Sequence, residues 1–247
     1  MARRPAPLIG ALALAAMLGA ALTGCATATP SSGADATPQA TETPAGELTE
    51  FDAAWLDGGR QVGLVTQGSS TCIPTAEDVS YADGVLQLTL ADVSDGPCTM
   101  DYVPRVSLVP VPDDVDPSTN LAIEVSGDYV GEMVLPGVEG LAAESPSEQL
   151  PSAGWTTTDG TFIVLLWGSS GCPEYITTAE VSGDAAISVS LSGQPEDKVC
   201  TADIAPNPQL TTVDGLVGVP DVALTLNSPG VDPYTTPILG VNGGTAG

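Results

Sequence analysis

The chain contains no histidine, and Lys198 is its only lysine. Those absences remove the imidazole general base, the commonest metal ligand and nearly every amine nucleophile. Only 5 Lys and Arg stand against 31 Asp and Glu in 247 residues, a formal net charge of −26. A charge of that sign repels phosphate backbones and argues against nucleic acid as a partner. It otherwise keeps a protein soluble. The length is room for one or two ordinary domains.

What is present begins at the amino terminus. Arg3 and Arg4 precede an apolar run from Leu8 to Leu22. At about fifteen residues the run falls short of the roughly 20 a spanning helix needs, and it matches the apolar core of a secretory signal. It ends in Leu22-Thr23-Gly24-Cys25. This tetrapeptide resembles the lipobox of bacterial lipoproteins: an aliphatic residue, a small residue, Gly or Ala, then Cys. The resemblance implies that residues 1–24 are a signal peptide. It also implies that the Cys25 sulfur takes a diacylglycerol, with acyl chains such as palmitate, and that Cys25 becomes the first residue after cleavage. Each buried CH₂ contributes about 0.8 kcal/mol, so two chains give lasting anchorage where one does not. The expected location is the extracellular face of the cell membrane. Residues 25–48 are rich in Ala, Thr, Pro and Ser without apolar periodicity and read as a lipidated tether. Fully stretched, such a segment reaches roughly 70 Å.

Beyond the tether the chain repeats itself. Trp55 and Trp155 lie 100 residues apart, as do Gly68-Ser69-Ser70-Thr71-Cys72 and Gly168-Ser169-Ser170-Gly171-Cys172. Cys98-Thr99-Met100-Asp101 matches Cys200-Thr201-Ala202-Asp203 at an offset of 102, and Leu121–Val125 matches Val222–Leu226 at 101. The division expected is a first β unit at 49–143, a connector at 144–152 and a second β unit at 153–247.

Within the repeats the apolar period is two. Leu86, Leu88 and Leu90 alternate with Gln87 and Thr89, and Ile187, Val189 and Leu191 alternate with Ser188 and Ser190. Such alternation describes strands with one face in a core. Turn residues cut the runs at Ala82-Asp83-Gly84, Asp116-Pro117-Ser118 and Ser228-Pro229-Gly230. The fold class is therefore all-β: two tandem small β-sandwich or barrel units of five or six strands, each with one internal disulfide. Helix is confined to one amphipathic turn over Leu48, Phe51 and Trp55 and a capping-box start at Ser145-Pro146-Ser147-Glu148. One strand differs between the copies. Gln61–Gln67 reads QVGLVTQ, whereas Thr161–Trp167 reads TFIVLLW, apolar on both faces. Either both its faces are covered or it meets the other unit or a ligand.

Setting Cys25 aside leaves four cysteines, which allow three pairings. The duplication selects Cys72 with Cys98 and Cys172 with Cys200, since a self-contained unit pairs within itself, and export supplies the oxidising compartment. A loop of about 27 residues closed this way is worth roughly 3.5 kcal/mol in the chain-entropy description. With two thiols per unit and no imidazole, zinc is excluded. The serines of WGSSGCPE resemble a nucleophile elbow only superficially, because no histidine can accept their proton. They read as a tight bend after a strand. Asp101 and Asp203 read as acceptors for turn amides. In "DDVDPSTN", Asp113, Asp114 and Asp116 gather oxygens but lack the Gly and Glu that a calcium loop requires. No cofactor, metal or catalytic residue is assigned.

The order Trp, G-S-S-x-C, alternating strands, C-T-x-D resembles a repeat of secreted lipoproteins from high-GC Gram-positive bacteria, over residues 53–126 and 153–227. That resemblance brings no activity with it. The expectation is a non-enzymatic, lipid-anchored cell-envelope protein. It would act as a binding or interaction module toward an envelope protein or glycan, with Trp167 as candidate contact. A hydrolase using paired carboxylates and a protease inhibitor with a disulfide-braced loop are the alternatives.

Overall fold

The computed structural model describes residues 48–93, 96–143, 148–195 and 197–243. The signal segment, Cys25, the tether and the Ser145–Ser147 part of the capping box lie outside them. The alternating runs form strands as expected, and the chain is all-β. Its first half contains β1 (Asp52–Leu56), β2 (Gln61–Gly68), β3 (Thr75–Ala82), β4 (Val85–Ala91), β5 (Val103–Pro110), β6 (Leu121–Gly127) and β7 (Gly131–Leu135). The second contains β8 (Ser152–Trp155), β9 (Thr161–Gly168), β10 (Ile176–Gly183), β11 (Ala186–Leu191), β12 (Ala205–Thr212), β13 (Ala223–Asn227) and β14 (Tyr234–Leu239). Each half thus has seven strands rather than five or six. The extra count includes β1, where a helical turn was anticipated. Ala53 and Trp55 face one apolar layer while Ala54 and Leu56 face another, and a two-faced demand of this kind is met by a strand's period of two.

The halves repeat one topology. The order β1-β2-β5 recurs as β8-β9-β12, and β3-β4-β6-β7 recurs as β10-β11-β13-β14. The β4–β6 and β11–β13 pairs are parallel, and their flanking pairs are antiparallel. Each half closes on its own apolar cluster. The first gathers Trp55, Leu64, Leu86, Leu90 and Ile123, and the second gathers Trp155, Phe162, Ile187 and Leu224.

A third cluster joins them. Ala54, Leu56, Val65 and Val106 of the first half are buried against Ile163 and Leu165 of the second, with Trp167 and Leu210 packed alongside. Strand β9 divides its side chains accordingly: Phe162, Val164 and Leu166 face their own half, while Ile163, Leu165 and Trp167 face the other. This explains why TFIVLLW is apolar on both faces. The two tandem sandwich or barrel units expected from the sequence are not separate, because the halves share this third apolar layer. The strands form three sheets, β1-β2-β5, β3-β4-β6-β7 and a seven-stranded sheet in which β14 pairs with β8, and three apolar clusters hold them in one compact body over the described residues. A layer repeated along one axis is nearer in plan to a β-solenoid than to separate sandwiches, although most of its ladders are antiparallel.

Polar contacts fix the stacking. The Asp52 carboxylate accepts hydrogen bonds from the Thr157 N–H (2.7 Å), the Thr157 hydroxyl (2.7 Å) and the Thr158 N–H (3.2 Å). At the other end of β1, the Asp57 N–H donates to the Ser152 hydroxyl at 2.9 Å. These contacts run β1 and β8 in opposite directions, which relates the halves by an approximate two-fold rotation. Gly154 lies at their crossing, where a Cβ would stand 2.1 Å from the Trp55 carbonyl oxygen. No side chain fits there.

Candidate functional site

The two disulfides occupy equivalent corners. Cys72 is bonded to Cys98 and Cys172 to Cys200, with Cα separations of 5.5 and 5.4 Å. Both pairings are those the duplication selects. Because β2 and β9 are antiparallel across the stack, the corners lie at opposite ends of the body.

Each corner is a strand exit followed by a tight turn, as read from the sequence. The Cys72 N–H donates to the Ser69 carbonyl at 3.3 Å, and the Cys172 N–H to the Ser169 carbonyl at 3.1 Å. The hydroxyls and carboxylates complete these turns. Ser69 and Thr99 hydroxyls lie 2.8 Å apart, as do those of Ser169 and Thr201. The Ser70 N–H donates to Asp101 and the Ser170 N–H to Asp203, both at 3.2 Å. Asp101 and Asp203 therefore serve turn amides, the role anticipated for them. Hydrogen bonds from Ser70 and Thr99 hold the Asp101 carboxyl down at about 2, and those from Ser170 and Thr201 do the same for Asp203. A carboxylate that acidic is a poor proton acceptor at neutral pH. The corner serines are thus hydrogen-bonded struts without a base to activate them.

The corners differ in what braces them. In the first, Arg105 on β5 is buried, at 7% exposure. Its guanidinium donates to the carbonyls of Ser69 (3.2 Å) and Cys72, to the Tyr129 hydroxyl and, through Nε, to the Thr66 hydroxyl (3.3 Å). Asp92 stands 3.7 Å away and also accepts from the Tyr129 hydroxyl at 2.8 Å. Burial and the bond to Asp92 raise the Tyr129 pKa, which the Arg105 charge partly opposes. A Cβ at Gly68 would sit 2.5 Å from the Arg105 Cζ, so glycine is what admits the guanidinium. Sequence reading passed over Arg105. Its signal was a lone basic residue in the apolar run VPRVSLVP of a chain with so few cations.

In the second corner Asn207 stands at the Arg105 position. Its side-chain amide and that of Gln209 both donate to the Glu174 carbonyl, at 2.8 and 2.7 Å. Beside them opens a groove of about 250 Å³ lined by Trp167, Ser169, Ser170, Glu174, Gln194 and Asn207. Trp167 packs against the shared layer, and its buried indole Nε1 has no acceptor among the described residues. The groove offers an aromatic wall, amides, hydroxyls and the Glu174 carboxylate.

Two further features bear on chemistry. On the outer face of the first half, Glu124 of β6 and Glu132 of β7 are direct cross-strand partners in a groove of about 620 Å³. Gln87 donates to Glu124 at 3.0 Å. Like charges placed opposite one another are destabilising. The equivalent pair in the second half is Thr225 and Thr235, whose hydroxyls lie 3.2 Å apart. In the DDVDPSTN loop, Asp116 accepts from the Ser118 N–H (2.9 Å) and hydroxyl (2.6 Å), a local turn. Among the described residues no group of three or more acidic or thiol side chains is placed to hold a metal ion.

Comparison with protein-family models, with curated proteins and with solved structures yields no match.

Proposed function

We propose that this is a lipid-anchored protein of the cell envelope, held on the extracellular face of the membrane through Cys25, and that its stacked β body is a binding module. Export and anchorage rest on Leu22-Thr23-Gly24-Cys25, and two disulfides accord with an oxidising compartment. The ligand, an envelope protein or glycan, would meet the groove beside Trp167. The observation that carries the binding reading is that groove, where an aromatic wall faces hydroxyls and amides. Replacing Cys25→Ser should move the protein from the detergent phase to the medium or leave it unprocessed. Unchanged detergent partition would refute the anchor. For binding, Gln194→Ala and Asn207→Ala should lower retention on immobilised envelope polysaccharide or envelope protein, and retention equal to wild type would count against this groove.

Glu124 and Glu132 favour a second reading, a hydrolase acting through paired carboxylates. Release of reducing ends from envelope glycan, abolished by Glu124→Gln or Glu132→Gln, would support it. The inhibitor reading has the fully exposed Met100 beside Cys98 in its favour. Slowed proteolysis by an envelope protease, lost on Met100→Ala, is its test.

A further inference from the structure

The two disulfides join equivalent positions in unlike surroundings. Cys98 is exposed and Cys72 is 8% exposed, whereas Cys172 is 2% exposed and Cys200 is half-buried. Cys72 and Cys98 both line a groove of about 1010 Å³, together with Asp92, Tyr102, Arg105 and Tyr129. The groove at the second corner is lined by Cys172 but not by Cys200. A reagent entering the first groove therefore meets both cysteines.

Exposed disulfides are the ones that exchange with thiols, and exchange is faster when the departing sulfur leaves as a stabilised thiolate. A neighbouring guanidinium supplies that stabilisation. The Arg105 guanidinium donates to the carbonyl of Cys72 itself, and in the second half the neutral Asn207 takes its place on the strand. Arg105 also decides what survives once the bond opens. By holding the Ser69 and Cys72 carbonyls it ties the Ser69–Cys72 turn to β5 without help from the disulfide. In the second corner the amides of Asn207 and Gln209 reach the Glu174 carbonyl, beyond Cys172. Among the described residues no side chain of β12 holds the Ser169–Cys172 turn. Asp92, 3.7 Å from the guanidinium, and Asp101, bonded to Ser70, are carboxylates of the first corner. With a net charge of −26 they favour a neutral reductant over an anionic one.

We propose that Cys72–Cys98 is an exchangeable disulfide, opened by a neutral exported dithiol, while Cys172–Cys200 is structural. One thiolate of the dithiol attacks the Cys98 sulfur, forming a mixed disulfide as the Cys72–Cys98 bond breaks and Cys72 departs as a thiolate beside Arg105. The second sulfur of the dithiol then attacks the first, closing its own disulfide and releasing Cys98. Two electrons pass from the dithiol to the cysteine pair, and its two protons end on Cys72 and Cys98. The site is separate from the Trp167 groove, and its test needs neither that groove's ligand nor the anchor.

The test treats the whole folded protein with dithiothreitol as the dithiol probe, followed by acid quenching, alkylation and peptide mass mapping. Cys72 and Cys98 should be alkylated at least about tenfold sooner than Cys172 and Cys200. The folded amide spectrum should persist, with the Cys72 N–H still protected from hydrogen exchange. With 2-mercaptoethanol, a neutral monothiol, the trapped adduct should sit on Cys98 and the alkyl group on Cys72. Equal rates for the two bonds, earlier opening of Cys172–Cys200, or opening only where the folded spectrum is lost would overturn the proposal. So would an adduct trapped on Cys72, which would reverse the direction of attack.

Discussion

The first and second halves of the molecule share a topology and differ at three places. The first braces its disulfide corner with a buried arginine where the second uses amides. It also sets two glutamates opposite each other where the second sets two threonines, and it caps its tryptophan where the second does not. The strand order within each half is unchanged by them, although β14 pairs with β8 while β7 and β1 lie in separate sheets. The duplicated fold is therefore carried by the apolar period and the disulfides, and the polar positions are left to diverge. The shared layer is asymmetric too: Gly63 and Val65 of β2 face Ile163 and Leu165 of β9. One strand supplies space and the other supplies bulk.

The largest effect should come from that layer. Ile163→Ala removes a fully buried side chain and should cost about 2–5 kcal/mol in urea unfolding. Arg105→Met comes next, at about 2–4 kcal/mol, because it strands the Ser69 and Cys72 carbonyls and the Thr66 hydroxyl. Asn207→Ala, its counterpart, should cost nearer 1 kcal/mol, since that site is half-buried. If the two variants lose equal stability, the corners are braced alike and the contrast fails.

Acid should affect the corners in parallel. Hydrogen bonds from Ser70 and Thr99, and from Ser170 and Thr201, hold the Asp101 and Asp203 carboxyls at about 2, below the ordinary carboxylate range. Their contribution is therefore fully present above about pH 4 and lost as pH falls through 2. Asp52 has the same sign: burial raises its pKa, but hydrogen bonds from Thr158, Thr157 and Thr156 outweigh it and leave the pKa lowered. Thermal scans between pH 5 and pH 2 should show stability falling across that window. Asp52→Asn should flatten part of the slope. The smallest contrast is between the tryptophans. Trp55→Phe orphans the Pro136 carbonyl and should cost about 1 kcal/mol beyond the change in ring size, whereas Trp155→Phe should be near neutral. Paired denaturation curves check this.

Much of the fold was legible because its signals are local. Leu86, Leu88, Leu90 and Ile187, Val189, Leu191 announce strands by their spacing, and the offset between the repeats chose the disulfide partners. The Asp101 and Asp203 roles followed from turn chemistry at a strand exit. What escaped depends on contacts between distant residues. TFIVLLW displays its second apolar face in sequence, but its partner QVGLVTQ hides the match behind Gly63, whose contribution is space. Strand β1 looked helical because Leu48, Phe51 and Trp55 fall at helical intervals, while its true constraint, two cores on opposite sides, is set by residues far along the chain. The Trp55 indole finds its acceptor in the Pro136 carbonyl, 81 residues on, and Trp155 finds none among the described residues, a contrast invisible in the matching sequence around the two tryptophans.

Packed through the Ile163 layer, the halves should unfold as one body. Native-state hydrogen exchange tests this most directly, comparing amides of β2 with those of β9 as urea rises. A common opening free energy for both strands, lowered together by Ile163→Ala, is the predicted result. Separate opening energies, with Ile163→Ala lowering β9 alone, would contradict it.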